Sequence, residues 1–75
     1  MNPKANSGVA EQVGIPADDA QRITGEIESL PPGKSLHDVV DATYNLSCFN
    51  GMGEHDRISL VQRVYQAMRA AGFRG

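Results

Sequence analysis

The apolar positions of this chain recur every three or four residues, which is the spacing of amphipathic helices rather than the alternation of strands. The widest apolar arc lies in residues 55–71 and covers about half of a helix circumference. We therefore predict that a helix over 55–71 is the most deeply buried element. Gly72 is placed to end this helix, and Phe73 to fold back onto its last turn. The residues of the arc are Ile58, Leu60, Val61, Val64, Tyr65, Ala67, Met68 and Ala71.

A second helix is predicted over 16–30, where the apolar stripe is narrower. Proline is favoured at the first helical position, which Pro16 would occupy. Asp18 and Asp19 in the first turn suit the positive end of the helix dipole. A proline-proline-glycine run then ends the helix. The stripe consists of Ala20, Ile23, Ile27 and Leu30.

A third helix is predicted over 36–49 and begins at a capping box. Ser35 and Asp38 have the required spacing, since each side chain can then satisfy a backbone N–H at the helix entrance. The Asn50-Gly51 pair marks the expected end of this helix.

Upstream, a short helix is predicted over 8–13. Ser7 is a suitable N-cap, and Gly14 suits the left-handed conformation that closes a helix. Residues 1–6 show no apolar periodicity, and we expect them to be a flexible N-terminus.

These elements predict an all-α fold, a small three-helix bundle with a short extra N-terminal helix, as one domain over residues 7–75. The connections at about 31–34 and 50–54 are short, which favours antiparallel neighbours. We expect the N-terminal helix to lie across one end of the bundle.

Size and composition narrow the classes of protein. A chain of 75 residues buries a small core, and its single cysteine, Cys48, allows neither an internal disulfide nor a zinc site of several thiolates. No apolar run approaches the roughly 20 residues that cross a bilayer, and residues 1–6 lack the apolar segment of a signal peptide. We therefore expect a cytoplasmic protein without membrane contact.

The charges are distributed unevenly along the chain, although the net charge is only −2. Residues 1–38 contain three cations and six carboxylates, whereas residues 57–75 contain four arginines and no carboxylate. Such asymmetry suits an acidic partner or nucleic acid, or an acidic helix that faces a basic one within the fold. We favour the internal arrangement, because cations also suit the last turns of a helix.

The spacing of small and apolar residues over 9–23 resembles a helix-turn-helix. By this resemblance the second helix would enter a DNA groove, and Gln21 and Arg22 would contact the bases. Asp18 and Asp19 at its start would face phosphates, which disfavours binding of nucleic acid. The same spacing also arises wherever two helices meet at a sharp angle. The positions concerned are Val9, Ala10, Val13, Gly14, Ile15, Ala20 and Ile23.

The segment Gly33-Lys34-Ser35-Leu36 resembles the Gly-x-Asp-Ser-Leu start of the second helix of acyl carrier proteins. The resemblance implies that Ser35 would carry a phosphopantetheine arm. Two features depart from that family: Lys34 replaces the acid, and carriers have a long loop where a helix over 16–30 is predicted here. Ser35 is explained equally well as an ordinary N-cap.

Two further pairs of residues are candidates for a catalytic site. His37 and Asp41 lie four apart on one helical face, and Cys48 and His55 flank a loop as a conceivable nucleophile and base. The apolar neighbours of Cys48 favour a buried, unreactive thiol instead. No recognised metal-ligand spacing is present, and we expect neither an enzyme nor a bound cofactor.

The leading functional hypothesis is a small, bacterial-type regulatory or accessory protein that binds another protein or itself. Its basis is the apolar arc over 58–71, which exceeds what the narrow stripe of helix 16–30 can cover. Tyr44 and Met52 near element ends add to this surplus. A homodimer through the last helix is one solution. The predicted interface residues are Leu60, Val64, Tyr65, Met68 and Phe73.

Overall fold

The computed structural model describes residues 3–71, those before Gly8 by their backbone alone. Over this range the chain is an all-α bundle without a strand, as predicted. Its elements are α1 (Pro3–Val13), α2 (Ala17–Glu28), α3 (Leu36–Ala42), a 3₁₀ turn (Ser47–Phe49) and α4 (Glu54–Ala70).

Helix α4 is the centre of the bundle, since it packs against α1, α2 and α3. Within the described range it contributes more side chains to the core than any other element, which confirms it as the most deeply buried helix. The rest of the core comes from one face of each other helix and from the 3₁₀ turn. The core residues are Val9, Ala10, Ala20, Ile23, Ile27, Val39, Val40, Phe49, Leu60, Val61, Val64, Ala67 and Met68.

Helix α1 is longer than predicted, because it begins at Pro3 and not at residue 8. Residues 3–6, which we expected to fray, belong to this helix, and Ser7 lies within it instead of capping it. Proline is well tolerated in the first turn of a helix, which permits this early start. The helix packs along both α2 and α4, with Val9 and Ala10 in the core, rather than lying across one end.

Two predicted helix boundaries are set by local hydrogen bonds. Gly14 closes α1 with φ at 86°, and the N–H groups of Gly14 and Ile15 both donate to the carbonyl of Ala10. At the start of α3 the capping box is present, with the backbone N–H of Ser35 donating to Asp38 Oδ2 at 2.9 Å. This hydrogen bond holds the pKa of Asp38 below its usual value. Both predictions are confirmed.

The helix predicted over 36–49 is interrupted after Ala42. At its end Thr43 Oγ1 donates to the carbonyl of Val39 at 2.6 Å, and the chain turns before the 3₁₀ turn. A residue of α2 anchors the 3₁₀ turn by two hydrogen bonds. Asp19 Oδ2 accepts one from Ser47 Oγ at 2.7 Å and one from the backbone N–H of Cys48 at 2.9 Å. A contact from a distant helix therefore overrides the continuous helix that the local pattern predicts.

Two glycine-to-alanine variants should change stability in opposite directions. An added Cβ meets no atom within 4 Å at Gly14 or at Gly25, so the backbone decides the outcome. Gly14→Ala should lower the free energy of unfolding by about 1 to 2 kcal/mol, because alanine disfavours positive φ. Gly25→Ala should raise it by up to about 1 kcal/mol, because Gly25 lies inside α2. Urea unfolding followed by circular dichroism measures both, and changes of the same sign would contradict this helix boundary.

The Asp19 contact predicts a difference between two adjacent carboxylates. Asp19→Asn should lower the free energy of unfolding by about 1 to 3 kcal/mol, because the part-buried hydrogen bonds from the Ser47 hydroxyl and the Cys48 N–H lose their carboxylate acceptor. Asp18 is exposed in the same first turn of α2, so Asp18→Asn loses a similar helix-dipole interaction without these hydrogen bonds. Equal destabilisation by the two variants in urea titrations would show that Asp19 acts through the dipole alone.

Candidate functional site

The surface predicted for partner binding on α4 is closed within the chain. Leu60, Val64 and Met68 are each at most 1% exposed, so the expectation that they form a free interface is corrected. The physical reason is that α1 and α3 as well as α2 pack on α4 and cover the apolar arc. Of the other two predicted residues, Tyr65 is half-buried and Phe73 lies outside the described residues, as does Gly72.

The most exposed apolar feature lies just after the end of α3. Among the described residues, Tyr44 is the only large apolar side chain that is exposed, with 55% of its surface accessible. The guanidinium of Arg57, from the start of α4, lies 3.9 Å from the centroid of the Tyr44 ring. This distance is well within the range of a cation–π interaction. We call these two side chains the Tyr44–Arg57 patch.

The guanidinium of Arg57 is poorly satisfied. Its Nε is buried and has no hydrogen-bond partner, and the described part of the chain provides Arg57 with no ion pair. Burying a polar group without a partner costs free energy, which the Tyr44 ring offsets only in part. By contrast, Arg22 and Arg69 both have partners, in Glu26 at 3.5 Å and in Tyr65 at 3.1 Å.

Two clefts are each lined by both side chains of the patch, and they differ in charge. The first, which we call the Asn45 cleft, has a volume of about 400 Å³, and Arg57 is the only charged side chain among the described residues that line it. Its other lining residues are Tyr44, Asn45, Leu46, Ser47, Phe49 and Asn50.

The second cleft, which we call the Glu54 cleft, has a volume of about 330 Å³ and is lined by two carboxylates, Asp41 and Glu54, beside Arg57. His37 bridges these carboxylates, with Nδ1 3.9 Å from Asp41 Oδ2 and Nε2 3.4 Å from Glu54 Oε1. The structure thus contains the predicted pairing of His37 with Asp41 and adds Glu54 to it.

Cys48 lies in a setting that opposes nucleophilic chemistry. Burial, followed by the nearby negative charge of Asp19, raises the pKa of the Cys48 thiol to about 11. Because the thiolate is the nucleophile, a raised pKa keeps the side chain in its less reactive form at neutral pH. The described residues also contain no cluster of three or more His, Cys, Asp or Glu side chains arranged to hold a metal ion.

The residues of the DNA-binding hypothesis lie on α2. Gln21 and Arg22 are exposed, but Arg22 is within 3.5 Å of Glu26 and Asp18 is exposed in the first turn. Asp19, which the resemblance would direct toward phosphates, instead accepts hydrogen bonds from the 3₁₀ turn. The helix therefore presents both signs of charge.

The residue of the carrier hypothesis, Ser35, is exposed at the start of α3, with its hydroxyl 3.4 Å from Asp38 Oδ2. It borders a cleft of about 360 Å³ on the side of the bundle where Leu30, Leu36 and Tyr65 meet. Helix α2 (Ala17–Glu28) occupies the segment in which carrier proteins have a long loop. The N-cap role explains the position of Ser35 without a covalent arm.

No protein-family model, no curated protein and no solved structure matches this chain. None of the helices in residues 3–71 combines the length and the apolar character needed to cross a bilayer.

The raised pKa of Cys48 predicts slow alkylation of the folded protein. Between pH 7 and 9 the rate of reaction with iodoacetamide should rise about tenfold per pH unit without a plateau, because the thiolate fraction still grows below a pKa of about 11. The protein unfolded in urea should react faster at each pH and level off near pH 9, the ordinary value for this thiol. A plateau below pH 9 in the folded protein would show an activated cysteine.

Proposed function

We propose that this chain is a non-enzymatic helical protein-interaction module that contacts its partner through the Tyr44–Arg57 patch. The observation that carries the proposal is the exposed Tyr44 ring under a guanidinium that lacks an ion pair within the described chain. Tyrosine and arginine are enriched among the residues that dominate binding energy at protein interfaces.

The positions of Tyr44 and Arg57 in the secondary structure also suit a binding site. Tyr44 follows the end of α3, where Thr43 is buried and hydrogen-bonded to Val39, and Arg57 belongs to α4. Tyr44 thus lies in the turn directly after a hydrogen-bonded helix end and Arg57 in a helix, which limits the conformational entropy lost on binding. The two clefts give a partner concave surface next to the aromatic ring.

Self-association remains one form of this proposal, with a changed contact surface. A homodimer through Leu60, Val64 and Met68 would require α4 to separate from the other helices, because these side chains are buried. A homodimer through Tyr44 requires no such opening. We therefore place any contact between copies at the Tyr44–Arg57 patch.

The two alternatives have less support. DNA binding would place Gln21 and Arg22 beside Asp18 and Glu26, and negative charge at a phosphate backbone weakens binding. A carrier function needs Ser35 as the attachment site of the phosphopantetheine arm. The role of Ser35 as the N-cap of α3 already explains why a serine stands there. A mobility shift on mixed DNA at low salt tests the first, and the intact mass after treatment with a promiscuous phosphopantetheinyl transferase tests the second.

The variant Tyr44→Ala should weaken binding to the partner by about thirtyfold or more, the loss typical of an interface hot spot. The partner is first captured with the tagged wild-type protein, then purified, and its Kd is measured by calorimetry for each variant. If the partner is a second copy, sedimentation equilibrium gives the Kd of the dimer. The fold should be retained with a small loss of stability, because Tyr44 is more than half exposed but contributes the cation–π contact with Arg57.

Arg63→Ala is the matched control, since Arg63 is an exposed residue of α4 that does not line either cleft. It should change the Kd by no more than about twofold. A partner that binds Tyr44→Ala as tightly as the wild type would place the interface elsewhere. A strictly monomeric protein that captures no partner would contradict the proposal as a whole.

A further inference from the structure

We infer that the partner is a protein segment that inserts an Asp or Glu carboxylate into the Asn45 cleft, where Arg57 binds it. This inference deepens the proposed function and rests on it. It specifies the chemistry of the partner and the side of the Tyr44–Arg57 patch on which the carboxylate lies.

The positive charge of Arg57 has no ion-pair partner among the described residues. Its guanidinium is half-buried, its Nε has no hydrogen-bond partner, and the described residues provide no carboxylate within ion-pair distance. A guanidinium forms its strongest hydrogen bonds with a carboxylate, often through two N–H groups at once. A carboxylate of the partner would supply the anion that the described residues do not provide, and it would accept from the Nη groups of Arg57, because Nε is buried.

The two clefts differ in charge, because carboxylates line the Glu54 cleft but not the described part of the Asn45 cleft. An anion in the Glu54 cleft would meet the carboxylates of Asp41 and Glu54, so repulsion would cancel its attraction to Arg57. Among the described residues no carboxylate lines the Asn45 cleft, since Asp19 lies behind Ser47 and accepts hydrogen bonds from it and from Cys48. The amides of Asn45 and Asn50 are further hydrogen-bond donors. The anion is therefore expected on the Asn45 side.

The guanidinium of Arg57 lies beside apolar side chains in the Asn45 cleft. Tyr44 and Leu46 line the Asn45 cleft together with Arg57, so apolar surface adjoins the charge. An acidic residue flanked by apolar ones would match both surfaces. Nucleic acid fits this site less well, because a chain of net charge −2 repels a polyanion at long range.

Nuclear magnetic resonance of the ¹⁵N-labelled full chain tests the inference, with the Arg57 side-chain Nε–H signal as the main readout. The probe is the blocked peptide acetyl-Leu-Glu-Leu-amide, and its matched control has Gln in place of Glu. We expect millimolar, saturable binding that shifts the signals of Arg57, Asn45 and Asn50. The Gln peptide should bind about tenfold more weakly, because it lacks the charge that strengthens the hydrogen bonds.

Two variants locate the carboxylate. Arg57→Gln should weaken binding of the Glu peptide to the level of the Gln peptide. Glu54→Gln should leave it unchanged or up to about threefold tighter, because it removes a negative charge from the other cleft. A signal change centred on Asp41 and Glu54 instead would overturn the assignment to the Asn45 side.

Other outcomes separate this inference from the proposed function. Equal binding of the Glu and Gln peptides, or binding of neither, overturns the inference that a carboxylate binds Arg57. The proposed function is tested separately, by the effect of Tyr44→Ala on binding of the purified partner. Inorganic phosphate and a short DNA duplex serve as competing anions. If either shifts the Arg57 Nε–H signal at a lower concentration than the Glu peptide does, the inferred protein carboxylate is also overturned.

Discussion

The buried carboxylate of Asp19 determines how the two halves of this small bundle meet. Its Oδ2 binds Ser47 Oγ and the backbone N–H of Cys48, and so joins the first turn of α2 to the 3₁₀ turn. Phe49, at the end of that turn, is completely buried. Because the chain between α3 and α4 is anchored in this way, the end of α3 and the start of α4 lie close enough for Tyr44 to contact Arg57.

The features that the sequence predicted correctly depend on residues a few positions apart. The Ser35–Asp38 capping box and the Gly14 helix end are local, since a backbone N–H or a positive φ requires a particular residue at a particular place. The break after Ala42 is different. It depends on Asp19 and Ser47, which are 28 residues apart, and helical periodicity carries no information about such a contact.

The candidate site was missed for a related physical reason. An apolar arc on α4 does not reveal whether neighbouring helices cover it, and here α1, α2 and α3 all pack on α4, so Val64 and Met68 are buried. The sequence did place Tyr44 near the end of an element, but nothing in the pattern linked it to Arg57. The two residues are 13 positions apart, on either side of a loop whose path depends on the Asp19 contact.

Stability and interaction make opposite demands on Arg57. The part of the chain that the structure describes has a core of only 13 buried apolar side chains, so each unsatisfied polar group is a large fraction of a small net stability. A lysine would lack the buried Nε and retain a positive charge, yet it would lose the planar group that stacks on Tyr44 and can bind a carboxylate through two N–H groups. The cation–π contact stabilises the guanidinium in the free chain without occupying all its donors. The same side chain can therefore be held in position and still have hydrogen-bonding capacity for a partner.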